Sequence, residues 1–249
     1  MQKPSTGRTD KRGITEYKII SNLNKIGSDR KEWTFWLEDL KNAKDITNEL
    51  TKTDIACLKN IKLTFDENDL VEANQFIVTV RTSIKIINDP YMSYLIKASE
   101  LVSKHIKKGT HIIYESTVYP GATEEVCLPI LRKNTNLEFN QDFFLGYSPE
   151  RLSPGDSAHS LTKIVKVVAG STPQICDILA HIYGSIIPAG THKASSIKVA
   201  EAAKILENMQ RDVNISLINE ASIIFNKLNI NTFDVLEAAK TKWNFIDLK

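Results

Sequence analysis

The chain has 249 residues, 42% of them hydrophobic and 25% charged, which is the composition of a folded globular protein rather than a disordered one. Its net charge of +2, from 32 basic and 30 acidic side chains, gives no electrostatic case for a nucleic-acid partner. No apolar run is long enough for a membrane span, and the polar first residues give no expectation of a secretory signal. The three cysteines (Cys57, Cys127, Cys176) form neither a C-x-x-C pair nor a Cys/His cluster, so no metal site is expected and a reducing cytoplasm is the expected compartment.

Residues 1–31 carry eight basic and three acidic side chains and little apolar content, the pattern of a disordered basic tail. From about residue 32 the pattern turns globular. Trp33, Phe35, Trp36 and Leu40 share one helical face, and Thr47–Leu58 gives a second short helix. Ile61–Phe65 reads as a short strand, and Asp66 caps a helical turn running to Ala73. Strands and helices then alternate. Gln75–Val80 is a continuous apolar strand, Tyr91–Ile106 a helix, Thr110–Thr117 a strand and Ala122–Arg132 a helix. Phe143–Ser148 and Lys163–Ala169 are strands, and Pro173–Tyr183 is a helix. This alternation predicts a doubly wound α/β sheet, with its strands parallel and buried on both faces.

After Gly190 the chain changes character, since residues 191–249 hold neither glycine nor proline. Apolar residues at helical spacing predict one helix over 195–226, roughly 45–50 Å long at 1.5 Å per residue. A helix so long and so apolar needs other helices to cover it, and a second subunit is the expected source. A shorter helix follows at Thr232–Lys240.

The ten glycines stand at 7, 13, 27, 109, 121, 146, 155, 170, 184 and 190, and no two are separated by a single residue. A G-x-G-x-x-G dinucleotide loop and a Walker A loop are therefore both absent.

Several ordered stretches nevertheless carry a family resemblance. They are FIVTV (76–80), YESTVYPGATEEVCLPIL (114–131), FFLGYSPERLSPGD (143–156), VAGSTP (168–173), THKASSIKVAEAAKILEN (191–208), QRDVNISLINE (210–220) and TKWNF (241–245). Together they resemble the UDP-glucose/GDP-mannose dehydrogenase family, NAD-dependent nucleotide-sugar 6-dehydrogenases. The wording is nearest the bacterial branch that oxidises UDP-N-acetylhexosamines for surface polysaccharide synthesis.

The resemblance implies a Rossmann-like NAD-binding domain over 32–190 and a helical dimerisation region over 191–249, a homodimer forming through the long helix 195–226. It also implies a UDP-sugar substrate whose C6 alcohol is oxidised to the carboxylate through a cysteine-bound intermediate. By resemblance, Thr117 holds a water near the reacting oxygen and Glu150 is the general base. Lys204 and Asn208, one helical turn apart, stabilise the developing oxyanion. Arg151, Leu152 and Gly155, with Lys204 and Asn208, line the sugar nucleotide. Val80, Thr82, Ser116 and Thr117 touch the cofactor.

The sequence departs from the family in three respects. Val80-Arg81-Thr82-Ser83 stands where the family reads Val-Pro-Thr-Pro, which loosens the cofactor loop. No glycine loop precedes Leu37, and no Gly-Gly-His-Cys motif follows Phe245. Cys127 and Cys176 sit among apolar neighbours and read as core residues, not nucleophiles. The expectation is a chain truncated at both ends, without the C-terminal UDP-binding domain and with no turnover of its own. The alternative is a non-catalytic paralogue kept for its dimerising helix.

Overall fold

The computed structural model describes residues 64, 66–80, 82–84, 90–152 and 161–246. The expected basic tail, the two helices before residue 60, almost all of the 61–65 strand, Arg81 and Gly155 lie outside the described residues.

Asp66 accepts from the Asn68 N–H at 3.0 Å and caps a 3₁₀ turn, Glu67–Leu70. Next come β1 (Gln75–Val78), a two-stranded antiparallel pair β2 (Ser83–Ile84) and β3 (Pro90–Tyr91), α1 (Ser93–Ser103) and β4 (Thr110–Tyr114). A π-helical turn, Thr123–Cys127, runs into α2 (Leu128–Arg132), followed by β5 (Phe143–Tyr147), β6 (Lys166–Gly170), α3 (Pro173–Gly184) and β7 (Thr191–Lys193). The chain ends in α4 (Ile197–Lys227, 31 residues) and α5 (Thr232–Lys240).

The main sheet has five strands in the order β1-β4-β5-β6-β7. β1, β4 and β5 are mutually parallel, with Phe76 opposite Ile112 and Ile112 opposite Leu145. The α/β class expected from the alternation is present, with one correction. β6 runs antiparallel to β5, and β7 is parallel to β6, so the sheet is mixed. Apolar alternation identifies a strand and says nothing about its direction, which is where the expectation of a wholly parallel sheet fails.

The pleat divides the core into two layers. Phe76, Val78, Ile112 and Tyr114 pack with Leu95 and Val102 of α1, Leu131 of α2, and Ile197 and Ala200 of α4. On the other face Ile113 and Val168 pack with Ile175, Leu179 and Tyr183 of α3. Gly170 ends β6 where a Cβ would run into backbone atoms of Thr172, Ile175 and Cys176, so only glycine lets α3 start so close. Thr172 caps α3 by accepting from the Ile175 N–H at 3.3 Å.

Several elements differ from the expectation: β1 stops at Val78, α1 spans only Ser93–Ser103 and β6 begins at Lys166. β4 stops at Tyr114, which leaves Glu115–Thr117 in a loop. The expected 122–132 helix begins as a π-turn, with the Leu128 N–H bonded five residues back to the Thr123 carbonyl. Pro129 has no N–H with which to close an ordinary turn onto residue 125. β2, β3 and β7 are two or three residues long, too short to leave an alternation in the sequence. Among the described residues no helix is long and apolar enough to cross a membrane.

Candidate functional site

The carboxyl ends of parallel strands are where α/β sheets bind ligands, and here β1, β4 and β5 end side by side. The loops that follow are stitched together. The Ser116 hydroxyl donates to the Val80 carbonyl, and the Thr82 hydroxyl donates to the Thr117 carbonyl at 2.5 Å. The Tyr147 hydroxyl donates to the Ser116 carbonyl at 3.1 Å, and the Ser148 N–H to the Tyr114 carbonyl at 2.9 Å. Val80, Thr82, Ser116 and Thr117 thus form one cluster at the ends of β1 and β4.

Behind this cluster lies a polar group that the sequence did not single out. The Tyr183 hydroxyl donates to Glu115, Lys166 sits 3.6 Å from the same carboxylate, and the Lys166 ammonium lies 5.4 Å from the Tyr183 ring centroid. Burial pushes the Tyr183 phenol well above its ordinary range, and the adjacent Glu115 charge pushes in the same direction. The group fastens the loop after β4 to α3 on the opposite side of the sheet from α4.

Glu150 follows β5. One of its carboxylate oxygens accepts from the N–H groups of both Arg151 and Leu152 at 2.7 Å. That arrangement turns the side chain back on its own loop and fixes its direction. The Arg151 guanidinium reaches Glu207 of α4 and the Val165 carbonyl.

α4 supplies the opposite wall. Its buried residues are Ile197, Ala200, Glu201 and Lys204, all within its first eight positions, and Ser196 caps its start by accepting from the Val199 N–H at 3.2 Å. Lys204 is 8% exposed, an unusual burial for a lysine. Burial lowers its pKa, Glu207 and Glu150 oppose that, and Arg211 and Arg151 reinforce it. Glu150 and Lys204 are therefore electrostatic neighbours although they come from different elements. Asn208, one turn on, accepts from Arg211 at 2.7 Å.

Glu201 joins the two walls. It is fully buried and takes hydrogen bonds from Gly121 and Thr123, the residues that open the turn after Thr117. Gly121, at φ +97°, holds a conformation that a side chain would resist. Sequence reasoning passed over Glu201. Its signal was present, as a carboxylate on the same helical face as Ile197, Ala200 and Lys204. The two described cysteines are buried, and burial pushes the Cys127 thiol up to about 11.

These residues fit the rim of a cofactor crevice at the ends of β1 and β4. A pyrophosphate cradle is absent among the described residues. The amides that open the 123–132 helix, where a phosphate could be held, are taken by Glu201.

Residues 41–187 match the NAD binding domain of the UDP-glucose/GDP-mannose dehydrogenase family, and residues 198–248 match its central domain. The chain belongs to this family. It is 53% identical over 213 residues to a UDP-N-acetyl-D-glucosamine 6-dehydrogenase of Pseudomonas aeruginosa, covering 86% of this chain and 50% of the relative. The corresponding enzyme of Salmonella typhi is 50% identical over 211 residues, covering 85% and 50%. The chain thus spans about half the length of the curated relatives it matches. Among solved structures, a UDP-D-ManNAc dehydrogenase from Pyrococcus horikoshii superposes with a TM-score of 0.78 at 25% identity, covering 92% of this chain and 58% of that one. A GDP-mannose dehydrogenase from Pseudomonas aeruginosa shares the fold, with a TM-score of 0.76 at 18% identity over 87% of this chain and 51% of its own. The family's NAD binding domain thus falls on the sheet and its central domain on α4 and α5.

Proposed function

We propose that this chain carries the cofactor-facing and sugar-oxidising walls of a UDP-N-acetylhexosamine 6-dehydrogenase, with UDP-N-acetylglucosamine as its sugar nucleotide. The observation that carries this reading is the buried Lys204 on α4, one turn from the Glu207 that Arg151 of the Glu150 turn grips. The 50–53% identity to UDP-N-acetyl-D-glucosamine 6-dehydrogenases supports the choice of sugar.

In this reading residues 32–190 form the NAD-binding part and residues 191–249 the central helical part. NAD, when bound, supplies the acceptor for hydride from C6. Val80, Thr82, Ser116 and Thr117 form the edge that faces it. The Lys204 ammonium and the Asn208 amide stabilise negative charge on the C6 oxygen, and the desolvated position of Lys204 strengthens that interaction. The Thr117 hydroxyl orients a water, and Glu150 would draw a proton from the water that hydrolyses a cysteine-bound C6 thioester, forming the carboxylate as the family's cysteine leaves as thiolate. Leu152 borders the nucleotide side. The buried free thiols of Cys127 and Cys176 support a reducing, cytoplasmic setting.

A second copy of this chain is proposed to cover the exposed apolar face of α4. The argument is that nothing beyond Lys204 on this helix is buried.

The test is titration calorimetry of the chain with UDP-N-acetylglucosamine, UDP-glucose and UMP, repeated with Lys204→Ala. Binding that prefers UDP-N-acetylglucosamine over UDP-glucose and is lost in the variant upholds the reading. Equal affinity for all three, or full binding by the variant, overturns it.

A further inference from the structure

Arg151 stands directly after Glu150, and its side chain points away from the strand end toward α4. Three of its nitrogens are engaged within the protein. Nε donates to Glu207 at 3.3 Å, Nη2 lies 2.8 Å from the other Glu207 oxygen, and Nη1 donates to the Val165 carbonyl at 2.8 Å. A two-pronged contact of this kind fixes direction as well as distance, because the guanidinium is a rigid planar fork. The backbone N–H of the same Arg151 donates to the Glu150 carboxylate at 2.7 Å. A continuous chain of contacts therefore runs from α4, through Glu207 and the Arg151 side chain, to the turn that aims Glu150. Glu207 also lies one helical turn beyond Lys204 and is the leading acidic influence on its charge.

We propose that Glu207 is a positioning residue of the sugar-oxidising site, holding the Glu150 turn against α4 through Arg151 so that Glu150 and Lys204 face the same sugar carbon. The inference deepens the function proposed above and rests on it for the identity of the ligand. It also changes the part given to Arg151. The resemblance places that residue along the sugar nucleotide, whereas three of its five N–H donors here orient its neighbour.

The pair contributes geometry rather than stability. Both side chains are about a third exposed, at 29% and 36%, and ion pairs so placed add little to folding. Variants at these positions are therefore expected to fold.

The experiment is a double-mutant cycle on the full chain with Glu207→Ala, Arg151→Ala and the double variant. Amide hydrogen exchange at Arg151 and Leu152, calorimetric affinity for UDP-N-acetylglucosamine and thermal melting are the three readouts. Each single variant is expected to speed exchange at those two amides about tenfold and to weaken the sugar nucleotide about tenfold. Exchange at Ile112 and Ile113 and the melting temperature should stay unchanged, and the double variant should be no worse than either single one. Unchanged exchange in Glu207→Ala overturns the proposal, as does an equal effect of Glu207→Ala in the Arg151→Ala background. If the unaltered chain binds no UDP-N-acetylglucosamine, the proposed function falls by itself, and the exchange cycle still decides the role of Glu207.

Discussion

Glu201 takes two hydrogen bonds from Thr123, one from its N–H at 3.0 Å and one from its hydroxyl at 2.6 Å. A third comes from the Gly121 N–H at 2.5 Å. These contacts span 78 and 80 residues of sequence and join the helix carrying Lys204 to the loop carrying Thr117. Glu201→Ala would leave three buried donors without an acceptor. The expected loss is about 3 kcal/mol or more, at 1–3 kcal/mol for each orphaned group, read by urea unfolding. Glu201→Gln keeps an acceptor for Thr123 and should lose less.

The same residue gives stability a pH dependence. Burial raises the Glu201 carboxyl above its ordinary 4.5, with Thr123 and Gly121 opposing and Glu124 adding to the rise. Lys198, which pairs with Glu125 nearby, feels the Glu201 charge. A carboxyl whose folded-state pKa is raised binds its proton more tightly in the folded chain. Its contribution is complete below 4.5 and is lost as pH rises through the raised value. Urea titrations on both sides of 4.5 should therefore show the stability difference between the native chain and Glu201→Gln narrowing as pH rises. A difference that widens would overturn the assignment.

Much of the fold was legible because its signals are local. The cap Asp66 stands where its helical turn begins, and α5 runs from Thr232 to Lys240 as its spacing predicts. What escaped was set by tertiary contact. The reversed direction of β6 depends on its neighbours, and β7 exists because its backbone finds β6. For the site, Lys204 and Asn208 were visible as a helical pair. Glu201 shared the helical face of Lys204 and Glu207 stood beside Asn208, but what gives them meaning, Thr123 and Arg151, lies far away in sequence. The fork of Arg151 onto Glu207 likewise follows from α4 crossing the end of β5, which no spacing within either segment reveals.

Lys204 should cost the protein stability. Its folded-state pKa is depressed below 10.5, chiefly by burial, against the pull of Glu207 and Glu150 and with help from Arg211 and Arg151. A lysine shifted in this direction contributes favourably above its unfolded pKa and loses that contribution as pH falls through its folded value. At neutral pH the folded chain therefore carries an ammonium in an unfavourable place. Lys204→Met preserves length and apolar packing while removing the charge. It is expected to raise stability by about 1 kcal/mol at neutral pH, with the gain shrinking as pH approaches 10.5, and to abolish binding of UDP-N-acetylglucosamine. Stability and binding moving in opposite directions would mark a residue retained for function. A Met variant less stable than the native chain at neutral pH would contradict the burial argument.

The last prediction concerns the far part of α4. Leu206, Met209, Val213, Leu217, Ile224 and Leu228 recur at steps of three, four and seven residues along one side of the helix, each more than half exposed. No residue of α4 after Lys204 is buried, and α5 has none at all. Such a stripe is a helix-packing face without its helix, and the occupant proposed for it is the same stripe from a second copy related by a twofold axis. Placing carboxylates at its centre with Val213→Asp and Leu217→Asp would set like charges against each other across that axis. The sheet core would be untouched, since neither residue contributes to it. Sedimentation equilibrium should give a dimer for the native chain and a monomer for the double variant, with the exchange protection of β4 and β5 unchanged. A native chain that sediments as a monomer, or a double variant that still sediments as a dimer, would remove α4 as the pairing surface.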